Sequence, residues 1–261
     1  MNNPYPISGE PVPPQGTEPE LNQGRMVQVQ LPNTKPVVTY VLMALTVLIY
    51  LLQLASQYLL KLDIPFLLGA KVNELIAAGQ VWRLFTPMLL HGSILHIGFN
   101  MYALYVFGLP LERYYGHGRY LAMYILAGFA GNTLSFAFSS AVALGASTAI
   151  FGLLGAEGVF LYRNWKIFGE SAKRSLQNLI ILAAINLIIG LAGNFDNWGH
   201  VGGLLGGAAF AWLAGPVLKL EMGFGEARVV DTHSTKDAWI AGALIAAACI
   251  LLTVIVILLR K

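Results

Sequence analysis

The chain has 261 residues, of which 56% are hydrophobic and only 11% charged, with a formal net charge of +3 and a single cysteine, Cys249. Soluble domains average about 45–50% apolar and about 25% charged residues, so this composition excludes both an ordinary soluble globule and a disordered chain. One cysteine excludes a disulfide scaffold, and no basic cluster points to nucleic acid, which leaves a polytopic membrane protein.

Residues 1–36 are rich in Pro, Gln, Asn and Gly and lack an apolar run, the pattern of a flexible tail. The first long apolar stretch starts too late and runs too long for a signal peptide. Seven stretches then approach the roughly 20 apolar residues that a bilayer-crossing helix needs: 37–60, 94–112, 119–139, 145–163, 176–192, 200–218 and 238–259. Between the first two, residues 61–93 mix Asp63, Lys71, Glu74 and Arg83 with apolar runs and two prolines. That mixture predicts an amphipathic loop in the membrane interface, and its length demands structure of its own. Residues 219–237 read as a linker and 238–261 as a last span with a short tail.

Lys and Arg set the expected orientation. With the N-terminus inside, the cytoplasmic segments hold 11 of the 16 basic residues and the outer segments hold 5. The excess predicts a cytoplasmic N-terminus, an outer C-terminus and, with no organelle signal, a multi-pass protein of the cell membrane.

Polar residues at membrane depth are costly and mark function. Four share one depth near the predicted outer ends of three spans: His96 and Asn100, Ser147, and His200. At 100° per residue, Phe151, Leu154 and Gly158 fall on the face of Ser147, and Gly203, Gly207, Ala211 and Ala214 on that of His200. Small residues let helix backbones approach closely in lipid, as a bond between Ser147 and His200 requires. A serine hydroxyl needs a base to become a nucleophile, and His200 is placed to be that base and to protonate the leaving amine. Candidate oxyanion donors are the Ser147 amide and the side chains of His96 and Asn100. Asp196 is the nearest acid to His200 but falls in a predicted loop, so a dyad is expected, with Phe151 packed on the His200 ring to orient it.

The run Gly145-Ala146-Ser147-Thr148-Ala149-Ile150-Phe151-Gly152 resembles the GxSxxxFG nucleophile motif of rhomboid intramembrane serine proteases. His91 to Asn100 is similar to the HxxxxHxxxN run of that family, and Gly199-His200-Val201-Gly202-Gly203-Leu204-Leu205-Gly206 to its AHxxGxxxG helix, with Gly199 where Ala is common. Trp82-Arg83 and the GxxxExxxG turn from Gly108 through Glu112 to Gly116 complete the resemblance over 37–218. It implies an all-α polytopic membrane helical bundle: a rhomboid-like six-helix core with one added C-terminal transmembrane helix. It implies Ser147 as nucleophile, His200 as base, and His96, Asn100 and the Ser147 amide as oxyanion donors, with Gly145 and Gly203 in support. The implied substrates are single-span transmembrane proteins cut within the lipid bilayer near the outer face, with no metal or organic cofactor.

Plainer readings exist for each residue. Ser147 alone is a small packing residue, His200 alone an interfacial histidine, and Asn100 an interhelical bond donor. His91 reads as a loop histidine at the cavity entrance, and a metal on His91, His96 and His200 would lack the usual acidic or sulfur partner. Glu157 reads as structural, either protonated or bonded to Asn186 or another interior polar group. Glu112 and Arg113 are expected to stabilise their own turn, and Trp82-Arg83 to anchor the loop. Two other functions compete: a non-catalytic rhomboid-like protein that binds membrane clients, which typically lacks the Ser or the His, and a transporter, which predicts repeats and a mid-membrane site.

Overall fold

The computed structural model describes residues 33–192, 195–222 and 227–260. Most of the expected tail, residues 1–32, lies outside the described residues. Among the described residues the molecule is all-α apart from one antiparallel strand pair. Four helical runs among the described residues are long and apolar enough to cross a membrane: Val37–Leu60, Ile94–Phe138, Trp165–Leu191 and Thr235–Leu259.

Helix α1 (Val37–Leu60) ends at Lys61, which takes left-handed backbone angles. The following loop is structured throughout. It carries α2 (Ile64–Gly69), whose first turn is capped by the Asp63 side chain, then α3 (Asn73–Ala77) and two 3₁₀ turns at Val81–Leu84 and Thr86–Leu89. Arg83 is buried and ties the loop to itself: Nη1 donates to Ala70 O at 2.7 Å, Nη2 to Leu67 O at 2.6 Å and Nε to Gln80 Oε1 at 2.7 Å. Trp82 stays exposed and donates its indole N–H to Leu68 O at 3.0 Å.

Helix α4 (Ile94–Ala103) passes through a π-helical turn, Leu104–Gly108, into α5 (Leu109–Phe138). Gly116 interrupts this stretch, so the spans expected at 94–112 and 119–139 are separate helical segments on either side of it. There φ is +73° and ψ 164°, a conformation glycine reaches without the Cβ clash that other residues meet. Glu112 serves more than its own turn, where its Oε1 pairs with His117 Nδ1 at 2.6 Å. Its carboxylate accepts the N–H groups of Val38 and Thr39 at 2.8 and 2.7 Å and the Thr39 hydroxyl at 2.7 Å, so it caps the start of α1, where Pro36 supplies no side-chain cap.

Helix α6 (Ser147–Arg163) begins at the predicted nucleophile rather than at 145. Helix α7 (Trp165–Ala192) is interrupted at Gly169, and its part beyond that residue starts earlier than the span at 176–192. Helix α8 (Asn197–Ala214) starts one turn before His200 and stops short of 218, because Pro216 disfavours helical angles at Gly215 and supplies no N–H of its own. Strands β1 (Leu218–Met222) and β2 (Ala227–Asp231) then pair antiparallel, Leu218 opposite Asp231, within the segment read from sequence as a linker. Helix α9 (Thr235–Leu259) opens with a capping box between Ser234 and Asp237.

The core lies where α8 packs along α5 and α6; α9 lies against α5 and α8, while α7 touches mainly α6. The approach of α8 to α6 is at backbone distance. A Cβ on Gly203 would overlap the Thr148 carbonyl, one on Gly207 the Gly152 carbonyl, and one on Gly155 the Leu204 carbonyl. The closest seam on α6 thus follows Thr148, Gly152 and Gly155, one step round from the face of Ser147. Gly158 looks instead toward Leu176 of α7.

Candidate active site

Ser147 is the first residue of α6, a position whose N–H has no acceptor within its own helix. His200 lies in the first turn of α8, whose start is fixed by Asp196 accepting the Gly199 N–H at 3.0 Å. The glycine seam brings the two helix ends together, and His200 Nε2 lies 3.1 Å from Ser147 Oγ. The His200 ring stacks on Phe151 with centroids 4.2 Å apart and an interplanar angle of 4°. Both His200 and Phe151 are buried. His200 Nδ1 has no hydrogen-bond partner among the described residues; Asp196 spends one oxygen on the helix start, and no carboxylate reaches the ring.

His96 and Asn100 lie one turn apart on α4. Gly145, just before α6, has φ +127°, outside the range side chains favour, and the point where its Cβ would stand is 2.7 Å from His96 Nε2 and 3.6 Å from Ser147 Oγ. A glycine there keeps open the space between the imidazole and the hydroxyl. Asn100 is buried and its amide donates to His96 O at 2.9 Å. Among the described residues, neither His96 nor Asn100 is hydrogen-bonded to Ser147.

His91 does more than line an entrance. It is 1% exposed, its N–H donates to Gln53 Oε1 at 3.0 Å, and its Nε2 accepts the Ala146 N–H at 3.4 Å, immediately before Ser147. Burial, aided by the neighbouring His96, pushes its imidazole down to about 4, so the ring is neutral and keeps a lone pair for that bond. Its ring meets that of His96 edge-on at 4.9 Å. Sequence reading offered only its place in the motif as a signal.

Glu157 stands apart from these residues. It lines a cavity of about 220 Å³ with Tyr114, Phe160, Phe168 and Ser175, and its Oε2 has no partner among the described residues. Asn186, considered as its partner, donates instead to Leu182 O one turn back in its own helix.

The fold and site thus define a multi-helix membrane protein with a partly buried Ser–His pair. Residues 78–217, more than half of the chain, match the Rhomboid domain, and the chain belongs to the rhomboid family. It is 43% identical over 176 residues to "Rhomboid protease GluP" of Bacillus subtilis (strain 168), covering 67% of this chain and 34% of that protein. It is 37% identical over 166 residues to "RHOMBOID-like protein 9, chloroplastic" of Arabidopsis thaliana, covering 63% and 38%, and 36% identical over 166 residues to "RHOMBOID-like protein 2" of the same plant, covering 63% and 51%. The matched region spans about a third to a half of these relatives' length. Family and apolar helices together make the chain a multi-pass membrane protein.

Proposed function

We propose that this protein is an intramembrane serine endopeptidase in which Ser147 and His200 form a catalytic dyad. The observation that carries the reading is the 3.1 Å separation of Ser147 Oγ and His200 Nε2 in a partly buried site. Similarity to a relative named as a rhomboid protease supports it. The Ser147 hydroxyl gives its proton to His200 Nε2 as the oxygen attacks the scissile carbonyl. The oxyanion forms in the space beside Gly145, within reach of His96 Nε2 and the Ser147 N–H, and Asn100 joins after turning from the His96 carbonyl. His200 then protonates the departing amine, and water attacks the acyl-enzyme with His200 again as base. Phe151 keeps the imidazole plane fixed, a task a carboxylate performs in a triad.

The substrates in this reading are single-span transmembrane proteins, unwound locally so that a carbonyl is free, and cut near the outer face of the cell membrane. The chain has its N-terminus in the cytoplasm and its C-terminus outside, and residues 37–218 form a six-helix protease core followed by the seventh span. No metal or organic cofactor enters the chemistry.

The test is cleavage of a tagged single-span substrate in liposomes by wild type, Ser147→Ala and His200→Ala. The expected result is cleavage by wild type alone, near the outer end of the substrate helix. Cleavage that survives in Ser147→Ala overturns the assignment, and stable substrate capture without cleavage by wild type supports a client-binding role instead.

A further inference from the structure

Helix α5 stops at Phe138, and residues 139–146 lead from there to Ser147. The last carbonyls of a helix lack partners within it and carry the negative end of its dipole, so they attract cations. Two cations from distant parts of the chain reach this spot. Lys71, on the 61–93 loop, is 0% exposed and donates Nζ to the carbonyls of Ser139 and Ala141, each at 2.9 Å. Its backbone also pairs with Ala143 in both directions, at 3.0 and 3.2 Å, and Asn73 Nδ2 donates to Ser139 O at 2.8 Å. Arg260, just beyond α9, donates Nη2 to Phe136 O at 2.8 Å and lies over the Phe136 ring, 5.0 Å from its centroid. At the far end of the connection, the Gly145 N–H donates to Pro87 O at 2.9 Å.

We propose that Lys71 and Arg260 are positioning residues: they fasten the end of α5 and the 139–146 connection to the loop and to α9, and so hold Ser147 in line with His200. The inference rests on the dyad described above. It gives α9, which contributes nothing to the dyad itself, a part in the site.

A lysine in this place is also sensitive to pH. Burial pushes Lys71 down to about 8; the surrounding charged groups are Asp196 at the start of α8 and Glu74 in α3, which oppose the shift, and Arg260, which adds to it. Above that value the ammonium becomes an amine, whose hydrogen bonds are weaker than charge-assisted ones. Because the folded value lies below the unfolded 10.5, this group stabilises the fold increasingly as pH rises from about 8 toward 10.5. Loss of activity through Lys71 would therefore come without loss of stability from Lys71, which separates positioning from general unfolding.

The experiment measures kcat and KM for the liposome substrate, the rate of Ser147 labelling by a fluorophosphonate probe, and the melting temperature, from mildly acid to alkaline pH. Lys71→Met is expected to lower kcat and labelling by about tenfold or more with KM within about twofold. Lys71→Arg keeps a permanent charge, so it is expected to restore kcat and to move the alkaline fall upward by about one pH unit or more. Arg260→Ala is expected to lower kcat by about threefold. An alkaline limb unchanged in Lys71→Arg overturns the inference even if Lys71→Met fails to fold, and so does a folded Lys71→Met with wild-type kcat. Cleavage surviving in Ser147→Ala, run alongside, overturns the dyad reading on its own.

Discussion

Along α8, Gly199, Gly202, Gly203, Gly206 and Gly207 are buried, and a Cβ on Gly203 or Gly207 would run into the backbone of α6. Along α7, Ile180, Ile181, Ile185, Ile188 and Leu191 are exposed, and contact with α6 runs through side chains such as Leu179, packed with Phe151 and Leu154. The difference follows from the solvent. Lipid does not drive apolar side chains together, so an isoleucine face loses nothing by facing it, and tight association comes from backbones that small residues allow to touch. The Ser147–His200 pair sits at the edge of the tight seam, and α7 lies on the loose side.

The largest effect expected from this contrast is at Gly207. A Gly207→Leu side chain overlaps the Gly152 carbonyl, an overpacking cost of about 3 kcal/mol or more, seen as loss of monodisperse protein in gel filtration. Arg83→Met comes next, leaving the carbonyls of Ala70 and Leu67 and the Gln80 amide oxygen without their donor. A cost of about 1.5–3 kcal/mol is expected, read as a lower melting temperature and faster proteolysis of the 61–93 loop. Glu112→Gln keeps the size of the α1 cap but turns one accepting oxygen into an NH2 that cannot accept, a cost of about 1 kcal/mol read as a lower melting temperature. Ile188→Ala on α7 should change stability by no more than about 0.5 kcal/mol. A loss at Ile188 as large as that at Gly207 would erase the distinction between the two helices.

Much of this arrangement is legible in the sequence because lipid leaves few alternatives. Apolar stretches give the helices, and polar residues inside them, Ser147 and His200 above all, stand out against their cost. The separation of the ring of Phe151 from that of His200 agrees with the packing expected from helical spacing. What the sequence conceals is long-range and polar. Glu112 serves a helix that begins far upstream, and its spacing within its own turn gives no hint of that. Lys71 reads as one more interfacial charge until the end of α5 is seen beside it. The strand pair at 218–231 escaped because its strands are short and its charges suit a plain linker. The small-residue pattern did indicate close helices, but a 100° wheel placed the seam on the Ser147 face rather than on Thr148, Gly152 and Gly155.

His200 Nδ1 has no partner among the described residues, which has a kinetic consequence under the proposed chemistry. An imidazole has two neutral tautomers, and only the one with its proton on Nδ1 leaves Nε2 a lone pair for the serine hydrogen. A carboxylate at Nδ1 would select that tautomer; the face of Phe151 holds the ring plane but favours neither nitrogen. The resting protein then divides between a form that is ready and a form that is not, and the observed turnover is the intrinsic rate multiplied by the ready fraction. An endopeptidase built this way runs below the speed of its own chemistry.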